Sequence, residues 1–170
     1  MLNMKITEPM LSGAGGAVGI FLLSILTLSN DAPLLMAPFG ASCVLLFSVP
    51  ESPLSQPKNV IGGHLISSLV GVVFVYLFPV SPLLLALAVA LAITFMSLMK
   101  VTHPPAGADP IVILLGAKGF SFLLFPVLSG SILLVAVAFI FHRMTNLHTY
   151  PSIKTVQSNK PLQTSNNTLA

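Results

Sequence analysis

The sequence predicts an all-α, polytopic helical membrane protein built from two three-segment repeats, each with one short helix broken by proline and glycine. Three observations predict it: apolar stretches of membrane-crossing length, very few charges, and a Pro/Gly break that recurs at a fixed offset. The 170 residues are 55% hydrophobic and only 6% charged, with a mean hydropathy of +0.97. Soluble domains carry roughly 25% charged residues. The length allows one domain. A net charge of +3 from scattered residues argues against a nucleic-acid partner. The single Cys43 lies in an apolar run and reads as a buried structural thiol.

Four long apolar stretches follow in order, at residues 10–28, 60–78, 82–99 and 121–142. Each approaches the ~20 residues that a helix needs to cross a bilayer. The first has Glu8 and Pro9 before it and no small-x-small cleavage pattern after it, so it is expected to be a retained helix rather than a secretory signal. Two shorter apolar pieces, 34–49 and 104–117, are interrupted by Pro and Gly. Residues 1–142 therefore form the expected membrane domain, with repeat halves at about 10–78 and 79–142. Residues 143–170 are polar and are expected to be a disordered tail.

The densest break is Thr102-His103-Pro104-Pro105-Ala106-Gly107-Ala108-Asp109-Pro110. Proline lacks an N–H and disfavours helix before it, so this stretch cannot run as one regular helix. Irregular backbone at membrane depth persists where protein or a water-filled cavity satisfies it. Sliding the chain by 67 residues pairs Pro38 with Pro105, Gly40 with Gly107 and Ala41 with Ala108, and also Gly63 with Gly130. Paired broken segments in corresponding halves point to a transporter-type site, here at 38–43 and 102–110.

Charge decides how the short pieces run. If both cross the membrane, Lys5, Lys58, Lys100, Arg143, Lys154 and Lys160 share one side and only Lys118 lies opposite. If both dip and return, the split is nearly even. Positive residues favour the cytoplasm, so crossing is expected, with both termini cytoplasmic and the repeats inverted.

The same alignment pairs Ser42 with Asp109, two residue types that cap helix starts, and Pro110 suits the first helical turn. Short helices at about 43–49 and 110–117 are therefore expected to begin inside the membrane with their N-termini facing. Helix N-termini attract anions, by roughly 0.3–1 kcal/mol and up to ~2 when partly buried. Gly40 and Gly107 would let backbone approach a ligand closely. Asp109 is either a structural cap or an intramembrane carboxyl that couples protons, because a charged carboxylate would repel an anion.

The remaining polar candidates are His103, His64, Lys58 and Asn59, with Lys100 as an interfacial anchor. No His-x-x-x-His or Cys-x-x-Cys pattern suggests a metal, and no cofactor motif is present. His142 and His148 read as interface residues. Gly15 and Gly19 form a small-xxx-small pair suited to close helix packing.

His103-Pro104-Pro105 with Ala106-Gly107-Ala108 resembles the signature of the HPP family of small integral membrane proteins. The stretches Pro38–Phe47 and Pro53–His64 fit the same pattern, so the resemblance covers roughly residues 10–142. It implies a four-helix membrane protein, from which the six-segment reading departs. Some cyanobacterial and plastid members are associated with nitrite transport.

The leading functional expectation is a transporter or channel for a small inorganic anion such as nitrite, in a bacterial plasma (inner) membrane. The pathway set is His103, Pro104, Pro105, Gly107, Asp109, Gly40, Ser42, Lys58, Asn59 and His64. The expected partners are the lipid bilayer, the anion and further copies of the chain. A cation or proton-coupled transporter, or a non-transporting sensor or assembly subunit, are the alternatives. No nucleophile–base arrangement suggests an enzyme.

Overall fold

Prolines set most of the helix starts. The computed structural model describes residues 6–30 and 34–152, and all regular structure among them is helical. Helix α1 is Thr7–Asn30, α2 Pro38–Ser48, α3 Pro57–Leu77, α4 Pro82–Leu98, α5 Asp109–Leu115 and α6 Ser129–Thr145. Proline occupies the first turn of α2, α3, α4 and α5, where its missing N–H costs nothing and its fixed φ already suits the helix. Tight 3-10 turns over Pro53–Ser55 and Pro104–Ala108 lead towards α3 and α5. A wide helical turn, Leu123–Leu128, opens α6 across an extended Phe125 (φ −132°, ψ 113°), the conformation favoured before Pro126.

Three helix ends use left-handed residues. Lys100 (φ 56°) closes α4, Ala117 (φ 46°) closes α5 and Asn146 (φ 51°) closes α6. At the first two, the amide one residue further on reaches back to a carbonyl of the last turn: Val101 to Met96 at 2.9 Å, and Lys118 to Ile113 at 3.0 Å. This arrangement satisfies carbonyls that the helix would leave orphaned.

Contacts along the bundle fix the direction of each segment. Phe39 at the start of α2 packs on Gly130 at the start of α6, while Leu46 near the end of α2 accepts from His142 near the end of α6. These two helices therefore run parallel. Asn59 at the start of α3 bonds to Thr102 beyond the end of α4, so α3 and α4 are antiparallel. The chain then climbs from His103 beside Gly63 to Gly119 beside Tyr76, following α3 towards its C-terminal end. Glu8, Ser48 and His148 line one groove, so the start of α1, the end of α2 and the residues after α6 meet at one end. Among the described residues, Lys58, Lys100 and Arg143 lie at that end and Lys118 at the other.

The core divides between two groups of helices. One, with Leu23, Phe39, Leu46, Phe47, Val60, Val72, Ile113, Val127 and Leu134, joins α1, α2, α6 and the turn before it to one side of α3 and α5, while Val70, Phe74, Ala88, Ala92 and Leu114 join α3, α4 and α5. The outward surface carries large exposed apolar side chains all round, as a lipid-facing surface does. Thr7–Leu28, Pro57–Leu77 and Leu123–Thr145 are long and apolar enough to cross a membrane; Pro38–Ser48, Pro82–Leu98 and Pro104–Leu115 are shorter apolar helices. Gly15 and Gly19 face Phe47 and Leu134 of the same chain.

Three boundaries differ from expectation. Helix α2 begins at Pro38, a full turn before Ser42, because Pro38 already supplies a helical φ. The last helix runs to Thr145, and Tyr150 is buried with its hydroxyl donating to the Ser55 carbonyl at 3.0 Å. Residues 143–152 thus belong to the folded body, and the remainder of the predicted tail lies outside the described residues.

Candidate functional site

Helix α3 brings the site together through a stripe of small and polar residues. Asn59, Gly63, Ser67 and Gly71 recur at four-residue intervals, with His64 and Ser68 one position on, so all six share one face. The broken segment 101–110 lies against that face. A Cβ on Gly63 would sit 2.7 Å from the His103 Cβ and 2.9 Å from the Val101 carbonyl oxygen. One on Gly71 would sit 2.9 Å from the Pro110 Cα. The stripe also satisfies the irregular backbone, as membrane depth requires. Asn59 Nδ2 donates to the Thr102 carbonyl at 2.9 Å, and Ser67 Oγ donates to that of Ala106 at 2.6 Å.

Five fully buried side chains then form one continuous chain of hydrogen bonds. His103 Nδ1 lies 2.8 Å from the Leu54 carbonyl, and its Nε2 lies 2.9 Å from Ser42 Oγ. Ser42 Oγ is also 2.9 Å from His64 Nε2. On the far side of that ring, His64 Nδ1 lies 2.8 Å from Asp109 Oδ2, which accepts from Ser68 Oγ at 3.1 Å. The Phe39 ring packs edge-on against His64. Ser42, His64, Ser68, His103 and Asp109 are all 0% exposed, so no bulk water shares their bonds.

The carbonyl of Leu54 fixes who donates. It can only accept, so His103 Nδ1 carries a hydrogen, and in a neutral ring Nε2 must accept from Ser42. That uses the only hydrogen of Ser42, so Ser42 accepts from His64 Nε2–H. His64 and Asp109 then share one further proton across their 2.8 Å contact, and the pair is neutral overall. A charge at the bilayer centre costs at least about 2.5–3.5 kcal/mol, so net neutrality is the arrangement burial favours. Removing the shared proton leaves two ring nitrogens facing one hydroxyl hydrogen. Adding a proton to His103 is accommodated if Ser42 turns its hydroxyl to the Pro38 carbonyl, 3.4 Å away. The array has two filled settings that differ by one proton, with Ser42 as the rotating link. Asp109 Oδ1 has no partner among the described residues, an open acceptor at one end of the chain.

The expected site residues separate into two groups. His103, Ser42, His64 and Asp109 meet in the cluster, and Asn59 braces the backbone beside it. Pro105 is buried in the break, while Pro104 is exposed. Gly40 is exposed on the outer groove, Gly107 has open space beside it, and Lys58 is exposed at the bundle end, so none of the three touches the cluster. The expected capping roles also change. Neither Ser42 nor Asp109 caps a helix with its side chain; Ala37 and Ala108 hold the cap positions, and the two side chains bracket His64 instead. Ser67, Ser68 and the Leu54 carbonyl lie outside the expected set. The four-residue spacing on α3 was the signal for the serines; no side-chain pattern marks a carbonyl. Among the described residues no group of three or more His, Cys, Asp or Glu is placed to hold a metal ion.

A helical bundle with apolar surfaces and a buried polar centre at a backbone break defines an integral membrane protein. The chain matches the HPP transmembrane region family over residues 1–151 and belongs to it. Two transmembrane proteins of Dictyostelium discoideum are similar to it. One is 36% identical over 146 residues, covering 79% of this chain and 47% of the relative. The other is 34% identical over 145 residues, covering 78% and 51%. The chain spans about half the length of these curated relatives. No solved structure matches the chain.

Proposed function

We propose that the protein is a transporter of a small inorganic anion, nitrite or an ion like it, that moves one proton with each anion. The observation that carries this reading is the continuous, solvent-free chain from the Leu54 carbonyl through His103, Ser42 and His64 to Asp109. A purely structural cluster has no use for two filled settings one proton apart. A proton carrier needs both. Intramembrane ionisable groups that pair with one another commonly mark proton relays. Carrying the proton with a monovalent anion keeps the cargo neutral overall, which removes most of the cost of moving a charge through the apolar centre.

An inverted repeat supports alternating access at this site. Exchanging α1, α2 and α3 for α4, α5 and α6 turns the α1–α6 contact into α4–α3, α2–α6 into α5–α3, and α1–α2 into α4–α5, and all of these contacts occur. The repeat-related Ser42 and Asp109 then flank the same imidazole. The end bearing Lys58, Lys100 and Arg143 is cytoplasmic on the positive-inside rule.

Nitrite uptake into proteoliposomes tests the reading. Uptake by the wild-type protein should exceed that of protein-free vesicles, and Asp109→Asn and His103→Gln should each abolish the excess while the purified variants remain folded. Unchanged uptake in both variants would remove the cluster from the pathway.

A further inference from the structure

A second buried histidine, away from the central cluster, has an open nitrogen. His142 is 1% exposed, and its Nε2–H donates to the Leu46 carbonyl at 2.9 Å. Its Nδ1 therefore carries a lone pair, and that atom has no partner among the described residues. His142 lines a cavity of about 370 Å³ at the bundle end, together with Glu51, Arg143, Asn146, His148 and Tyr150. The volume fits a small polyatomic ion and its waters. Arg143 is exposed beside it and makes no ion pair among the described residues.

We propose that this cavity is a second anion-binding site, taking an oxyanion group that pairs with Arg143 and receives a hydrogen bond from His142 Nδ1 once that atom is protonated. An apolar or cationic occupant would leave the guanidinium unpaired. An oxyanion accepts in several directions at once, which matches a fork of N–H donors beside an imidazolium. Binding is thereby linked to uptake of one proton by His142. The groups facing that ring are the carboxylate of Glu51, the Arg143 guanidinium, the His148 ring at 5.6 Å between centroids, and the Tyr150 ring at 5.8 Å; beyond His148 lies Glu8 on α1. Arg143 and His148 oppose the imidazolium until an anion is present. Tyr150 stays neutral, because burial pushes its phenol above the ordinary range. The anion's source is either the aqueous phase or a lipid phosphate headgroup, since the cavity opens at the end of a membrane helix.

Sulfate is the probe, because its charge does not change between pH 6 and pH 8. Calorimetric titration of the full chain in lipid-free detergent, repeated in buffers of different ionisation enthalpy, gives affinity and protons taken up together. The expected result is binding about 25- to 100-fold tighter at pH 6 than at pH 8, with close to one proton taken up at pH 8. His142→Gln keeps an amide donor for Leu46 and should abolish both the uptake and the pH dependence. His148→Gln should leave them in place. Arg143→Gln should weaken binding about tenfold at both pH values. Asp109→Asn should bind sulfate like the wild type, so failure here is separable from failure of the transport reading. In nanodiscs, sulfate affinity that falls when phosphatidylglycerol is added assigns the site to headgroups, and unchanged affinity assigns it to free anions. No sulfate binding at either pH, or proton uptake that survives in His142→Gln, would overturn the proposal.

Discussion

Gly63 decides whether His103 can reach the cluster. A methyl there would meet both the His103 Cβ and the Val101 carbonyl, and neither is the far end of a flexible side chain. Overpacking of this kind costs about 1–3 kcal/mol. Gly63→Ala should therefore lower the melting temperature in detergent and cut transport far more than a surface glycine change such as Gly13→Ala, whose site is open. Tyr150 gives a prediction with a definite sign. Its phenol pKa is raised by burial, so the folded state holds that proton more tightly than the unfolded chain. The resulting stability is complete below about pH 10, the ordinary tyrosine value, and is lost as pH rises towards the folded value. Alkaline melting scans should show that loss in the wild type and a flatter profile in Tyr150→Phe. At this scale the sequence was partly legible. His103, His64, Ser42 and Asp109 stand out as polar side chains in apolar surroundings, which is costly unless they are paired. Ser67 and Ser68 were harder to see because a serine in a membrane helix can satisfy itself locally, as Ser24 does on the Ile20 carbonyl.

Helix starts were easier to read than helix caps. Pro38, Pro57 and Pro82 each open a helix, and a proline at the first turn is a signal that needs no tertiary contact. Ser42 misleads for the same reason: Pro38 starts α2 one turn earlier, leaving the serine free to reach two histidines. Two helix ends were illegible, because Lys100 and Ala117 take a left-handed conformation that neither residue type announces, whereas Asn146 after α6 is a type that favours it. The left-handed region costs a non-glycine residue roughly 1–2 kcal/mol. Ala117→Gly should therefore raise stability by about 1 kcal/mol, read as a higher melting temperature, with transport unchanged.

The direction of each helix in the bundle follows from the contacts of its ends. What the sequence withheld is the pairing: nothing in periodicity says that α2 runs beside α6 or that the break at 102–110 lies on α3. Those follow from close approaches at Gly130, Gly63 and Gly71, where glycine removes the one atom that would hold two segments apart. In a Cys43→Ser background, single cysteines at Lys118 and Thr149 should label from opposite sides of the membrane with an impermeant maleimide. Labelling of both from the same side would contradict the alternating path.

Proton-coupled anion transport is the central claim, and its stoichiometry is the most direct test. Nitrite uptake and internal pH would be recorded together in proteoliposomes, with valinomycin and potassium setting the membrane potential, and the signal of Asp109→Asn vesicles subtracted as background. One proton per anion predicts uptake that is driven by an imposed pH gradient, acidifies the lumen in step with nitrite, and is indifferent to the potential. Uptake that follows the potential without moving protons would contradict it.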